Sequence, residues 1–295
     1  MEMREELARR ARAVEQIVEQ YLPAEEGHQK TVFEAMNYSV RAGGKRLRPL
    51  LMQETFRLFG GKGGQIRPFM AAVEMIHTSS LIHDDLPCMD NDELRRGLPT
   101  TWVKFGYDMA VLAGDALMIY AFETAAKAFS ETDRPERVAE CIGLLARKTG
   151  VYGMIGGQVV DVELTDQPIP REKLDFIYRL KTGALLEASM MIGAVLAGAD
   201  EEQVKKVEQI AAAVGLAFQI QDDILDVTGT AGQLGKPVLS DEKNHKTTYV
   251  TLEGIDRAKA DVAGLSARAV ALLGELPGEN AFLGKLIEML VTRES

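Results

Sequence analysis

Leu81-Ile82-His83-Asp84-Asp85-Leu86-Pro87-Cys88-Met89-Asp90 sets three carboxylates at the end of an apolar, helix-like run from Ala71 to Ile82. Pro87 bends or stops that helix, since proline lacks an N–H and restricts the residue before it. Asp90 then returns after the bend. Two charges ~4 Å apart repel by roughly 4 kcal/mol at an effective dielectric near 20, so the cluster either takes up protons or holds a cation. Hard carboxylate oxygens suit Mg²⁺, which fills the rest of its shell with water and phosphate oxygens. Arg95-Arg96-Gly97 follows closely. Two arginines are odd company for a metal alone but suit a metal-bound polyanion, because guanidinium grips phosphate oxygens as a fixed fork.

A second cluster lies in Phe218-Gln219-Ile220-Gln221-Asp222-Asp223-Ile224-Leu225-Asp226. Asp222 and Asp226 are four apart and Asp223 and Asp226 three apart, so all three fall near one helix face. Like charges at that spacing destabilise a bare helix, and a cation is again the economical explanation. The clusters start 138 residues apart (222 − 84), close to half the chain. Each ends an apolar helix. The pattern predicts two facing acidic helices with a cavity between them, for which a helix-bundle core is a natural setting.

Helical periodicity dominates the remainder. It predicts helices over 5–21, 29–40, 50–59, Pro68 to the first aspartates, 107–129, 137–164, 172–180, 184–199, 201–227, 255–273 and 279–291. Gly97 to Thr101 reads as a turn, and Lys181-Thr182-Gly183 as an interruption. No strand-like alternation of useful length occurs. The expectation is an all-α protein, one domain over residues 1–295. Of 295 residues, 46% are hydrophobic and 26% charged, an ordinary globular composition. A net charge of −10 argues against nucleic acid as a partner. The charged N-terminus is unlike a signal peptide, and Ala184 to Ala199 reads as too short to span a bilayer. Cys88 and Cys141 suggest no disulfide framework. A cytoplasmic protein without a membrane span is expected.

Taken together with both clusters, the chain resembles the short-chain trans-prenyl diphosphate synthases, the bacterial farnesyl and geranylgeranyl group of the polyprenyl synthetase family. The resemblance runs over Gly43-Gly44-Lys45-Arg46-Leu47-Arg48-Pro49, Glu74-Met75-Ile76-His77, Asp84-Asp85 with Asp90, Arg95-Arg96-Gly97, Lys181-Thr182-Gly183, Gln219 with Asp222, Asp223 and Asp226, Gly235-Lys236-Pro237 and Lys246-Thr247-Thr248-Tyr249. It implies an isoprenoid-synthase-like bundle of mostly antiparallel helices around a deep cavity, usually a homodimer. It implies ionisation of an allylic diphosphate (dimethylallyl, geranyl or farnesyl), attack by isopentenyl diphosphate and loss of a proton. By the same resemblance, Asp84, Asp85, Asp90 and Asp222 hold three Mg²⁺ on the allylic diphosphate, with Mn²⁺ able to substitute. Asp223 and Asp226 are weaker or indirect metal ligands. Arg95, Lys181 and Lys236 grip that diphosphate, with Lys246 a further contact. Lys45, Arg48, His77 and Arg96 grip isopentenyl diphosphate, and Thr182 and Gln219 line the cation's site.

Each motif alone has a plainer reading. Aspartate-rich helix ends are usually solvated, Arg95-Arg96 is commonly a surface pair, and His77 a core or cap histidine. Cys88 reads as a bystander. Gly60 to Gly64 lacks the Gly-Lys-Ser/Thr of a P-loop. Two other functions compete: a class I terpene cyclase, which usually has a different second metal motif, and a non-catalytic partner subunit, which has typically lost one cluster. A carbocation needs dry apolar walls, for which Met75, Leu81 and Ile82 are expected. Product length is expected to depend on Ser79 and Ser80, about one and a half turns or ~7.5 Å before Asp84. Serine at 79, where farnesyl synthases often carry an aromatic, leaves room and favours geranylgeranyl diphosphate.

Overall fold

Apolar residues at helical spacing become helices here, and the most apolar helix becomes the centre. The computed structural model describes residues 3–165, 167–228 and 247–292. Its helices are α1 (Met3–Glu19), α2 (Lys30–Arg41), α3 (Leu47–Leu58), α4 (Ile66–Asp84), α5 (Thr101–Phe105), α6 (Tyr107–Ala126), α7 (Pro135–Thr149), α8 (Met154–Glu163), α9 (Arg171–Ile177), α10 (Ala184–Ala197), α11 (Glu201–Thr228), α12 (Tyr249–Glu253), α13 (Ile255–Gly274) and α14 (Ala281–Thr292). In α10 every residue from Ala184 to Leu196 is buried, as expected of a helix apolar on all sides. It packs against α3, α7, α11 and α4. Gly193 permits a close approach to α3, since a Cβ there would strike the Met52 carbonyl. Outside this centre, α4 packs on α6, and α11 on α13.

Three local expectations change. The interruption at Lys181 to Gly183 is instead a π-helical turn, Tyr178–Gly183, so Arg171–Ala197 forms one rod of 27 residues. That rod and Tyr107–Glu131 are each long and apolar enough to cross a membrane, and their most apolar windows are 72% and 39% buried in the fold. The rod's place is the middle of the bundle, as core helices pass the same test of length and composition. The helix expected over 137–164 is two helices, α7 and α8, with a glycine-bounded turn between them. Finally, Leu94–Arg95 and Leu98–Pro99 pair as a minimal antiparallel hairpin, Leu94 opposite Pro99 and Arg95 opposite Leu98. Its central residues Arg96 and Gly97 have φ of 55° and 79°, the positive values a tight twisted hairpin turn demands. Two-residue strands leave no alternation to read in a sequence.

Candidate active site

Around the first cluster, the chain folds back as Pro87 suggests. The Asp90 N–H donates to the Asp84 carbonyl at 2.8 Å, which brings the third aspartate beside the first. Asp85 is buried and takes the Arg95 guanidinium, Nε at 2.7 Å. The hairpin explains this reach, because its strand carries Arg95 inward. Asp84, half-buried, accepts from Gln158 Nε2 at 2.6 Å. Lys181 Nζ bonds Asp161 Oδ2 at 2.6 Å. Burial pushes the Asp84 carboxyl above the usual range; Lys181 opposes this and Asp90 adds to it. Burial likewise raises Asp85 against the pull of Arg95. For Lys181, burial disfavours the charge, but Asp161, Asp84 and Asp90 outweigh it and raise the ammonium. These are hard oxygen donors that burial makes unfavourable and that Lys and Arg charges meet. The donor chemistry suits Mg²⁺ between the aspartates and a phosphate, although among the described residues no three such groups already converge on one point.

Opposite lies a cationic surface. Gly43 and Gly44, with φ of 87° and 143°, and Arg46, with φ of 50°, shape the loop that starts α3. A Cβ on Gly44 would sit 2.8 Å from Arg96 Nη2, so that glycine lets the hairpin arginine close on the loop. Arg46 is buried on Glu74 at 2.7 Å. Arg48 Nε is buried with no hydrogen-bond partner among the described residues, and burial together with Arg96 lowers the Arg48 pKa. Burial, then Arg48, Arg96, Arg46 and Arg95, holds His77 well below the usual imidazole range. Glu74 pairs with Arg46 and Asp85 with Arg95, while Arg96 crowds Arg48 and is itself crowded by Arg46 and Arg95. Crowded positive charge of this kind is suited to a polyanion. Lys45 is exposed at the edge of the same loop.

Between these poles opens a cavity of about 750 Å³. Arg48, His77, Asp84, Lys181 and Thr182 line its polar end, and Leu81, Met118, Met154, Ile155, Val159 and Val162 its walls. Ser80 lines it, but Ser79 does not. Fully buried, Ser79 donates to the Ile76 carbonyl at 2.8 Å and lies 4.0 Å from Met118 Sδ. Met118 of α6 therefore stands where Ser79 was expected to leave room. Met75 is core, and Ile82 lines a separate hollow of about 30 Å³ beside Asp85 and Arg96; of the three walls expected from α4, Leu81 alone lines the large cavity.

The second cluster is arranged differently. Thr182 Oγ1 donates to Gln219 at 3.0 Å, which ties α11 to the cavity wall, and Asp222 follows three residues on. Among the described residues, Asp84 lines the cavity and Asp222, Asp223 and Asp226 do not. Asp222 is half-buried, while Asp223 and Asp226 are 4% and 3% exposed. Asp223 Oδ2 accepts the Tyr178 hydroxyl at 2.6 Å and the Tyr249 N–H at 2.7 Å. Lys236 and Lys246 lie outside the described residues. Gln158 and Asp161 of α8 were missed from sequence. The signal was present in Gly157-Gln158-Val159-Val160-Asp161, where polar residues three apart share a face of an otherwise apolar helix.

A polyprenyl synthetase family model matches residues 29–270. The farnesyl diphosphate synthase of Geobacillus stearothermophilus is 43% identical over 96% of this chain and 95% of its own length. A chloroplastic geranylgeranyl pyrophosphate synthase of Catharanthus roseus is 47% identical over 85% of this chain and 70% of its own length. Among solved structures, an FPP/GFPP synthase from Zymomonas mobilis superposes with a TM-score of 0.86 at 34% identity, covering 98% of this chain and 99% of that one. A Helicobacter pylori geranyltransferase, solved with magnesium and isoprenyl diphosphate, gives 0.82 at 32%, covering 97% and 95%. The cavity with an acidic and a basic rim is thus seated in the all-α fold of the prenyl synthases, and the chain belongs to the polyprenyl synthetase family, a prenyltransferase by descent.

Proposed function

We propose that this protein condenses isopentenyl diphosphate with an allylic diphosphate, head to tail, and releases farnesyl or geranylgeranyl diphosphate. The observation that carries the reading is the cavity itself: a largely apolar hollow whose lining includes Asp84, Lys181, Arg48 and His77. Arg95, Lys181 and, beyond the described residues, Lys236 and Lys246 hold the allylic diphosphate. Lys45, Arg48, His77 and Arg96 hold that of isopentenyl diphosphate. Three Mg²⁺, or Mn²⁺ in their place, bound through Asp84, Asp85, Asp90 and Asp222 would neutralise the charge that develops as the allylic C–O bond breaks. Lys181 and Arg95 contribute to the same neutralisation from fixed positions. Thr182, in the cavity lining and bonded to Gln219, puts that pair beside the site of the cation, and the apolar walls exclude water from it. Among the described residues no side chain is a dedicated base; the departing diphosphate accepts the proton. His77, which burial and the neighbouring arginines hold well below the usual imidazole range, hydrogen-bonds the diphosphate of isopentenyl diphosphate.

Residues 1–295 act as one catalytic unit, and two copies pair. On α6, Leu112 and Ile119 lie two turns apart on one face and are 55% and 71% exposed. They fit the apolar face of a homodimer, which light scattering at micromolar concentration tests. The activity is tested by supplying isopentenyl diphosphate with dimethylallyl, geranyl or farnesyl diphosphate and Mg²⁺, then sizing the products. Longer diphosphates are expected only with both substrates and the metal. Cyclic hydrocarbons from an allylic diphosphate alone would establish a terpene cyclase instead, and no conversion by the pure chain would establish a partner subunit.

A further inference from the structure

Tyr178–Gly183 winds as one π-helical turn between α9 and α10. Such turns are rare and recur at functional sites, so neighbours must hold this one in register. Glycines flank it. A Cβ on Gly157 of α8 would strike the Lys181 backbone nitrogen, and a Cβ on Gly215 of α11 would come 3.1 Å from Gly183 Cα. Side chains fix both ends. Thr182 bonds Gln219 at 3.0 Å, and the Tyr178 hydroxyl donates to Asp223 Oδ2 at 2.6 Å. The same oxygen accepts the N–H of Tyr249 at 2.7 Å, where α12 begins. Asp223, Tyr178 and Tyr249 are 4%, 8% and 2% exposed. A carboxylate so enclosed is costly unless donors satisfy it, and two of its donors, Tyr178 and Tyr249, are outside the cavity lining.

Tyr249 is itself held. Its hydroxyl donates to Asp261 Oδ2 at 2.7 Å and accepts from Arg171 Nη2 at 2.8 Å, and the Arg171 guanidinium stands 4.1 Å from its ring centroid. Arg171 opens α9, the helix that runs into the π turn. The contacts thus close a circuit from α9 through the turn to α11, α12 and α13 and back to α9.

We propose that Asp223 is a positioning residue: through Tyr178 it holds the π turn in the register that delivers Lys181 and Thr182 to the cavity, and it does not bind the metal. This rests on the reading of Lys181 as a diphosphate contact. Tyr178→Phe in the full-length enzyme removes one hydroxyl and keeps the ring. With the allylic diphosphate varied, its kcat/KM is expected to fall about tenfold, the scale of a lost bond to a charged group, with half-saturating Mg²⁺ unchanged. Lys181→Gln tests the underlying reading by itself, since unaltered allylic kinetics there would remove Lys181 from the site. Where Lys181→Gln is damaging, the cycle with Tyr178→Phe decides. A double variant no worse than Lys181→Gln means the tyrosine acts through the lysine; full additivity overturns the proposal, as does wild-type behaviour of Tyr178→Phe. Asp223→Asn keeps an oxygen able to accept both donors. A rise of more than about a hundredfold in its half-saturating Mg²⁺, beyond what loss of an outer-shell partner costs, would make Asp223 a ligand and overturn the proposal. Should Asp223→Asn fail to fold, the Tyr178→Phe cycle stands as the deciding test.

Discussion

Asp84 and Asp223 belong to segments that look alike, each a pair of aspartates ending an apolar helix, yet their surroundings are opposite. Asp84 is half-buried at the cavity's rim, bonded by an amide of Gln158 and faced by Lys181. Asp223 is enclosed, bonded by a tyrosine hydroxyl and a backbone N–H. A carboxylate at the cavity's rim, faced by a lysine, is placed to share a metal-bound phosphate with it. One locked to backbone can only hold its position. Asp223 thus fixes the helix turn that brings Lys181 to Asp84, while Asp84 and, from α11, Asp222 are the proposed metal ligands.

The largest expected effect is at the first pair. Asp84→Ala should lower turnover by at least about a thousandfold, the upper range for loss of one group aimed at developing charge, while circular dichroism shows an intact fold. Asp222→Ala should do the same if it supplies the metal ligand from α11. Near-wild-type product formation by folded Asp84→Ala would dissolve the comparison altogether. Next in size is the support of the π turn from its two sides. Gly157→Ala meets backbone and should cost about 1–3 kcal/mol as overpacking, with a larger loss of activity because Lys181 moves. Gly215→Ala needs a shift of only tenths of an ångström and should be milder in both melting temperature and turnover. Equal effects would mean that the turn is not held against α8.

The all-α architecture was legible because helical spacing alone predicts it, and most helix ends fell within a few residues. Asp84, Lys181, Arg48 and His77 were legible as candidates because the resemblance fixes their types at fixed spacings, and all four line the cavity. What sequence could not supply was which acid faces what. Asp223 shares a helix face with Asp226 on paper, and only the packing of Tyr178 and Tyr249 decides that its oxygen is engaged. Ser79 illustrates the same limit: its distance from Asp84 is set by the helix, but Met118, on α6, is brought over it by tertiary packing. Gln158 and Asp161 stayed unread because polar residues on an apolar helix have no fixed meaning until the facing helix is known.

Product length sharpens the view of the cavity's far end from its floor. Met118→Ala should shift the product distribution toward one further prenyl unit. Ser79→Tyr should shift it shorter, because a ring at a site with no exposure must push Met118 into the cavity. Chromatography of the dephosphorylated products distinguishes these outcomes, and an unchanged distribution in Met118→Ala would place the floor elsewhere.

The smallest effect expected is on stability, and its direction is informative. Burial lifts the Asp84 and Asp85 carboxyls, so the folded chain binds their protons more tightly than the unfolded chain does. That contribution to stability is present at acid pH and is lost as pH rises from the ordinary aspartate range through the raised values. At neutral pH the metal-free fold carries the cost of both charges. Asp84→Asn keeps an oxygen for Gln158 and removes one charge, so the metal-free protein should melt about 1–3 °C higher at pH 7 and lose part of its decline in stability between acid and neutral pH. With Mg²⁺ and an unreactive diphosphate added the order should reverse, because binding to the folded state alone stabilises it and the variant has given up a ligand. A lower metal-free melting temperature for Asp84→Asn would show instead that attraction to Lys181 outweighs burial at Asp84, and that the first cluster, like the second, is held mainly by its protein partners.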